Sequence, residues 1–216
     1  MRRRHPRAAR LPRRPVQDGE RQQGRIQTRP PAPASRLPAI QDTRRIRPGA
    51  WPRSPPTGGR EQLASLQFVD RAEDLVLYGD VGCGKTHLAI AIGELACRRM
   101  IPVRFFTASS LVMRLRKAKH DNRLDTELKT IGKAELLIID ELGYLPIDIE
   151  GARLLFQVIA DSYETRSVVF TSNLEFSRWG DVFGDGDMAA AVIDRIVHHG
   201  RIVRFHGESY RNTHSL

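Results

Sequence analysis

The segment Gly79-Asp80-Val81-Gly82-Cys83-Gly84-Lys85-Thr86 fits the pattern G-x-x-x-x-G-K-[ST] without a gap. An apolar run, 75–78, precedes this segment, and a helix-like run, 87–92, follows it. Strand, glycine loop and helix is the context in which backbone N–H groups and a helix N-terminus surround phosphate oxygens. The segment therefore predicts a phosphate-binding loop (P-loop, or Walker A motif). The alternative is a glycine-rich turn with an incidental Lys-Thr pair.

A second motif completes the predicted site. Lys85 is expected to reach the β- and γ-phosphates of a nucleotide, and Thr86 to bind Mg²⁺. The apolar run 136–139 ends at Asp140 and Glu141; we expect Asp140 to hold Mg²⁺ and Glu141 to orient and deprotonate the attacking water. A solvated acidic turn is the alternative. These two motifs thus predict a nucleotide phosphate group and Mg²⁺ as ligands. The predicted nucleotide-binding residues are Gly79, Asp80, Val81, Gly82, Cys83, Gly84, Lys85, Thr86 and His87.

A polar trio, Thr171-Ser172-Asn173, follows another apolar run, 167–170. Parallel strands end at the same edge of a sheet, so this trio is expected near the P-loop. Asn173 is placed to contact the γ-phosphate or the attacking water. A loop asparagine that caps a helix is the alternative.

Apolar runs alternate with helical stretches through residues 61–216. The unbroken run 136–139 is typical of a central parallel strand buried on both faces. The order predicts one α/β domain, a doubly wound parallel sheet with helices on both faces. Thr107 or Ser109 is expected to cap the second helix, and Asp187 the last. Strands are predicted at 75–78, 103–106, 136–139, 167–170 and 202–205, and the best-bounded helices at 85–99, 123–133, 150–165 and 188–199.

Residues 1–60 differ from the rest of the chain in composition. They hold 16 of the 35 basic residues, all Arg, but only three of the 25 acidic residues, and 11 of the 13 prolines. The net charge of +10 therefore describes this tail rather than the domain. Frequent proline without apolar periodicity predicts disorder. Three interpretations remain open: a frame or start-site artefact from GC-rich DNA, a solvated tail, or a basic arm on nucleic acid.

The sequence also bears on the compartment. No apolar segment follows Arg2-Arg3-Arg4, as a secretory signal would require, and no run reaches the length of a transmembrane helix. Cys83 and Cys97 are the only cysteines, too few for a disulfide framework or a zinc site. We therefore expect a cytoplasmic protein with no membrane partner.

Five motifs in order resemble the IstB family, the ATP-binding helper proteins of certain bacterial transposons. That family is similar to the helicase loader DnaC and belongs to the AAA+ ATPases. The resemblance covers about residues 61–212, nearly the whole predicted domain. The motifs are GDVGCGKTHLAIA (79–91), LLIIDELGYLP (136–146), VVFTSNLEFSRWGDVFGD (168–185), AAAVIDRIVHHG (189–200) and GESYR (207–211).

The resemblance implies an AAA+ core with a minimal lid, and further roles. Asn173 would be the sensor after the fourth core strand. Arg195 would be an arginine finger acting on a neighbouring subunit's ATP, and Arg211 a second sensor on the γ-phosphate. From the residues alone, Arg195 would be interpreted as part of a surface ion pair. The resemblance also implies DNA and a transposase as partners and an ATP-dependent homo-oligomer. Family members carry an N-terminal helical domain for partner contacts, where this chain has its Arg/Pro-rich tail.

The leading hypothesis is a DNA-stimulated ATPase that uses ATP-dependent self-assembly to select or remodel DNA for a transposase. A DnaC-type loader of a replicative helicase is the near alternative. Two others are a nucleotide-gated DNA-binding module with little turnover, against which Glu141 argues, and an inactive remnant.

A basic cluster is interpreted as a solvated face, with DNA contact as the alternative, and the histidines are not interpreted as a metal site. The cluster is Arg114, Arg116, Lys117 and Lys119, and the histidines are His198, His199 and His206.

Overall fold

The computed structural model describes residues 59–205. The predicted tail lies outside this range except for its last two residues. Arg211, His206 and the predicted minimal lid also lie outside it. The strands are β1 Asp74–Gly79, β2 Val103–Thr107, β3 Leu136–Leu142, β4 Ser167–Ser172 and β5 Gly200–Phe205. The α-helices are α1 Gly59–Ser65, α2 Gln67–Asp70, α3 Lys85–Arg98, α4 Ala108–His120, α5 Leu124–Ile131, α6 Ile149–Ser162, α7 Trp179–Phe183 and α8 Gly186–His199.

The five strands form one parallel sheet in the order β2-β3-β4-β1-β5. Alternate residues of each strand enter two separate apolar clusters, one on each face. Val76, Ile139 and Phe170 pack on one face with helices α4, α6, α7 and α8. Leu77 and Ile138 pack on the other with helices α1, α2 and α3. The predicted doubly wound α/β fold, with helices on both faces, is confirmed.

The strands that carry the predicted site are longer than their apolar runs. Strand β3 was predicted to end at Ile139 but continues through Asp140 and Glu141 to Leu142. Strand β4 likewise continues to Ser172. Polar residues extend these strands because hydrogen bonds between β3 and β4 compensate for their burial, a feature that hydrophobicity does not report.

The helix caps agree with the sequence in one place and differ in another. Thr107 caps α4 as predicted, accepting a hydrogen bond from the Ser110 N–H at 3.2 Å. The prediction that Asp187 caps the last helix is wrong. Asp185 does so, because its Oδ1 accepts from the N–H groups of Asp187 at 2.9 Å and Met188 at 3.1 Å. Helix α8 therefore begins two residues earlier than expected.

Trp179 is fully buried at the start of α7, 6.2 Å from the Phe170 ring and 5.0 Å from the Phe176 ring between centroids. Trp179 therefore packs in the core and offers no surface for stacking with bases. None of the helices within residues 59–205 is long and apolar enough to cross a membrane.

Candidate nucleotide-binding site

The P-loop connects β1 to the first turn of α3, as the motif requires. Gly79, Gly82 and Gly84 all have positive φ, at 139°, 84° and 90°, a conformation that side chains disfavour. Gly79 is constrained a second time, because a Cβ there would lie 2.1 Å from the Phe205 carbonyl oxygen on β5. These glycines let the loop turn tightly beyond the carboxyl end of β1. The backbone N–H groups at the start of α3 then offer an anion-binding end.

Lys85 is the first residue of α3, directly after the loop, and is buried, with 6% of its surface exposed. Its Nζ donates to the carbonyl oxygens of Gly79 at 2.8 Å and Asp80 at 2.6 Å. Burial lowers the pKa of Lys85, and the nearby Cys83, Asp80 and Asp140 act in the opposite direction. No carboxylate forms an ion pair with Lys85 within residues 59–205. A buried ammonium held only by neutral carbonyls is suited to an anionic ligand.

The other predicted loop residues differ in exposure. The side chains of Asp80, Val81 and His87 are exposed, whereas Cys83 is partly buried. Burial raises the pKa of the Cys83 thiol, which Lys85 partly offsets. The assignment of each residue to nucleotide contact stays a prediction.

Asp140 connects the P-loop to the end of β3. It is buried, and its Oδ1 accepts a hydrogen bond from Thr86 Oγ1 at 3.0 Å. The two residues are 54 positions apart in the chain, yet the sheet brings them together as predicted. Oxygen ligands of this kind are those that Mg²⁺ prefers.

A metal bound here would need ligands beyond the protein. No group of three or more His, Cys, Asp or Glu side chains suited to a metal occurs in the described range 59–205. Mg²⁺ commonly takes one or two protein oxygens and completes its shell with phosphate oxygens and water. Thr86 and Asp140 fit that mode.

Glu141 follows Asp140 but has the opposite exposure, with an exposed side chain. Its φ is 58°, in the left-handed region. Its N–H donates to Thr171 Oγ1 at 2.9 Å. The carboxylate is thus at the surface beside the buried Asp140, where water has access to it.

Asn173 is exposed directly after β4. Because β4 lies between β3 and β1, Asn173 emerges between the P-loop strand and the strand that carries Glu141. The loop that holds it is anchored: Ser172 Oγ donates to the Leu142 carbonyl at 2.8 Å and accepts from the Leu174 N–H at 3.0 Å. The position suits the predicted sensor role, which stays a prediction.

Arg195 lies on α8 and is partly buried. Its guanidinium carbon is 5.1 Å from the centre of the Phe156 ring on α6, and its Nη1 donates to the Ala191 carbonyl at 3.1 Å. The surface ion pair suggested by the residues alone does not occur among residues 59–205. The structure does not bring Arg195 into contact with the P-loop or with Asp140.

The predicted basic cluster on α4 is largely paired with acids. Arg116 pairs with Asp148, and Lys119 pairs with Glu150 at 2.6 Å. A third pair joins Arg114 to Glu127. The pKa of Asp148 is lowered mainly by the hydrogen bond from the Gly151 N–H and further by Arg116. The pKa of Glu150 is lowered by Lys119. The cluster is therefore a charge-balanced face that connects α4 to α5 and α6.

Sequence reasoning missed Thr171, which it grouped with Ser172 and Asn173 without a role of its own. Thr171 is buried, and its hydroxyl donates to Asp140 Oδ1 while accepting from the Glu141 N–H. The available signal was a threonine directly after the apolar residues Val168, Val169 and Phe170. A cavity of about 300 Å³ beside Glu141 was also not foreseen; it is lined by residues of α4 and by 144–148.

Comparison with known proteins gives a consistent result. The family model described as IstB-like ATP binding protein matches residues 53–216. The chain is 46% identical over 147 residues to a Bacillus thuringiensis subsp. berliner protein described as an ATP-binding protein of insertion sequence IS232. It is 45% identical over 150 residues to the corresponding IS21 protein of Pseudomonas aeruginosa. These alignments cover 68% and 69% of this chain but only 59% and 57% of the relatives. The chain thus spans less than two thirds of their length.

Solved structures agree on the fold. The DnaC helicase loader superposes with a TM-score of 0.58 at 21% identity, covering 71% of this chain and 92% of that one. The replication initiator DnaA, bound to AMPPCP and single-stranded DNA, gives a TM-score of 0.58 at 16% identity over 69% of this chain and 46% of that one. The likeness places the described domain in the AAA+ P-loop fold.

Proposed function

The chain belongs to the IstB-like ATP-binding protein family, and on that premise we propose that it binds ATP with Mg²⁺ and hydrolyses it as the helper of a DNA transposase. The observation that carries the proposal is the buried Lys85 ammonium, held only by carbonyl oxygens, beside the Thr86–Asp140 pair. A positive charge and a metal-binding carboxylate at one sheet edge match a metal–triphosphate group. A glycine turn without a ligand would have no need for the buried charge.

Lys85 and the Thr86–Asp140 pair would have separate parts in binding. The β- and γ-phosphates would replace the Gly79 and Asp80 carbonyls as partners of Lys85 Nζ, because charge-assisted hydrogen bonds are stronger than neutral ones. Thr86 and Asp140 would hold Mg²⁺, which offsets the negative charge that develops on the transferred phosphate oxygens.

Hydrolysis would use the exposed carboxylate of Glu141 as general base for the attacking water. Such a group contributes about 10²–10⁴ in rate. Asn173, which emerges between β3 and β1, would orient that water or contact the γ-phosphate. The exposure of both side chains supports this division of roles, because the water must arrive from solvent.

Arg195 and Arg211 would act at the γ-phosphate, Arg195 on the ATP of a neighbouring copy. Arg195 is supported by its packing on Phe156, which holds the guanidinium on a rigid helix without an acidic partner among residues 59–205. An arginine supplied in trans would link hydrolysis to assembly, and we propose that the chain assembles on DNA in the ATP state to select or remodel the target.

The choice of a transposase over a replicative helicase follows from the relatives. Proteins named for insertion sequences match at 45–46% identity, whereas the DnaC likeness, at 21%, concerns the fold. Copurification from cells that contain both partners would decide. Recovery of a transposase supports the proposal, and recovery of the replicative helicase instead contradicts it.

The binding site is tested with Lys85→Ala, compared with Lys117→Ala as a matched change of an exposed lysine. Titration calorimetry with ATP and Mg²⁺ should show affinity reduced about 100-fold for Lys85→Ala, from the loss of charge-assisted hydrogen bonds. Lys117→Ala should bind like the parent. Equal affinities for all three proteins would refute the site. Phosphate release measured with and without duplex DNA then tests hydrolysis and its stimulation.

A further inference from the structure

The hydrogen-bond ladder between β3 and β4 is interrupted where the acidic pair lies. Ile139 pairs with Phe170 and Leu142 with Ser172, so three steps along β3 face two steps along β4. This β-bulge holds Asp140 and Glu141. An extra residue in a bulge loses its ladder partner, and its N–H must find another acceptor.

Thr171 supplies that acceptor. Its Oγ1 accepts from the Glu141 N–H at 2.9 Å, across the gap that the bulge opens. Glu141 has a φ of 58°, which an L-residue other than glycine adopts only when its surroundings hold it there. The hydroxyl is therefore part of what fixes the backbone from which the Glu141 side chain projects.

The same hydroxyl has one proton to give, and it gives it to Asp140 Oδ1. Thr86 Oγ1 donates to that oxygen as well. Both hydrogen bonds end on Oδ1, so they orient the carboxylate and leave Oδ2 for a metal or its water. One buried side chain thus connects the metal-binding acid to the general base.

Packing does not account for a threonine here. The other β4 residues before it include Val168, Val169 and Phe170, all buried, and a valine would fill the same volume with equal strand propensity. A buried hydroxyl is unfavourable unless it is hydrogen-bonded. Its two partners are the Asp140 carboxylate and the backbone N–H of Glu141.

We infer that Thr171 is a positioning residue for ATP hydrolysis, holding Asp140 oriented toward Mg²⁺ and Glu141 toward the attacking water. The inference rests on the proposed function. It predicts that Thr171→Val loses both effects whereas Thr171→Ser, which keeps the hydroxyl, retains them.

The test uses the full chain with Thr171→Val, Thr171→Ser and, as a matched control, Thr130→Val on α5, where the hydroxyl bonds only to the Thr126 carbonyl. Phosphate release gives kcat and KM. A fluorescent ADP analogue titrated with Mg²⁺ gives the half-saturating metal concentration independently of turnover. Thr171→Val should lower kcat and raise the half-saturating Mg²⁺ each by about 10-fold or more, as for other partners of metal ligands. KM for ATP should stay within about threefold, because the Lys85 contacts persist.

Thr171→Ser and Thr130→Val should both match the parent within about threefold. A valine variant too unstable to assay is replaced by Thr171→Ala, which removes the hydroxyl without adding a methyl group. Two outcomes would overturn this inference but leave the proposed function intact. One is parent-like kcat and Mg²⁺ dependence in the hydroxyl-free variant, and the other is a Thr171→Ser variant as impaired as that variant. A parent protein that binds no nucleotide, or binds it no better than Lys85→Ala, overturns the proposed function and this inference with it.

Discussion

Asp74 is a buried acid outside the nucleotide site, and its ionisation should make the domain less stable as the pH rises. It begins β1, is 7% exposed, and its Oδ1 accepts a hydrogen bond from the Val168 N–H at 2.8 Å. Burial raises the pKa of Asp74 from 3.8 to about 7, although that hydrogen bond acts in the opposite direction. The folded protein therefore keeps a proton that the unfolded chain has released.

The direction of the pH dependence follows from the number of protons bound in each state. Between pH 4 and pH 7 the folded state binds more protons than the unfolded state, so the free energy of unfolding decreases with rising pH. The contribution is fully present below the unfolded pKa and is lost as the pH passes the folded pKa. At about 1.36 kcal/mol per pKa unit, the full change amounts to about 4 kcal/mol. This is a large part of the 5–15 kcal/mol typical of a whole domain.

Asp74→Asn removes the titration and keeps an oxygen for the Val168 N–H. Urea unfolding followed by circular dichroism between pH 4.5 and 7.5 should show the parent losing about 3 kcal/mol relative to Asp74→Asn. Asp70→Asn, a nearby exposed change, should follow the parent. Subtracting the stability curve of Asp74→Asn from that of the parent removes the pH effects that all three proteins share. The titrations of Asp148 and Glu150, whose pKa values are lowered, are examples. Parallel curves for the parent and Asp74→Asn would refute the reasoning.

Three further outcomes are expected. Glu141→Gln should bind ATP like the parent but release phosphate about 10²–10⁴ times more slowly, in a single-turnover assay; parent-like turnover would exclude it as the base. Gly79→Ala should lower the melting temperature by several degrees, about 4 °C for each kcal/mol, because its Cβ would overlap the Phe205 carbonyl; an unchanged melting curve would contradict that. Arg195→Ala should lose turnover alone but regain part of it when mixed with Glu141→Gln, since mixed assemblies contain some complete sites; no recovery argues against action in trans.

The strand cores could be predicted because each is an apolar run buried between helix layers. The strand ends and the small elements could not. Helix α2 and the 3-10 turn Phe176–Arg178 are shorter than a period that hydrophobicity can reveal. Helix α7 has five residues, and its Trp179 packs against the rings of Phe170 on β4 and Phe176 in the 3-10 turn. Tertiary packing, rather than local preference, determines these segments.

The motifs of the site could be predicted because each is a short run of consecutive residues. Phosphate binding uses consecutive backbone groups, so the spacing of Gly79, Gly84 and Lys85 contains the geometry. Thr171 could not be assigned in that way, because its role depends on the register between two strands and on the bulge between them. Neither is encoded at any single position.

The bulge also explains how two adjacent acids can have different chemistry. In a regular strand, the ladder would fix the backbone of Asp140 and Glu141 alike. Here the extra residue releases the Glu141 N–H from the ladder, and the hydroxyl of Thr171 binds it while also contacting Asp140. Asp140 is thereby held buried beside Thr86, and Glu141 is exposed to water. The Asp-Glu pair thus depends on the neighbouring strand, and a change in β4 should alter hydrolysis while the P-loop still binds ATP.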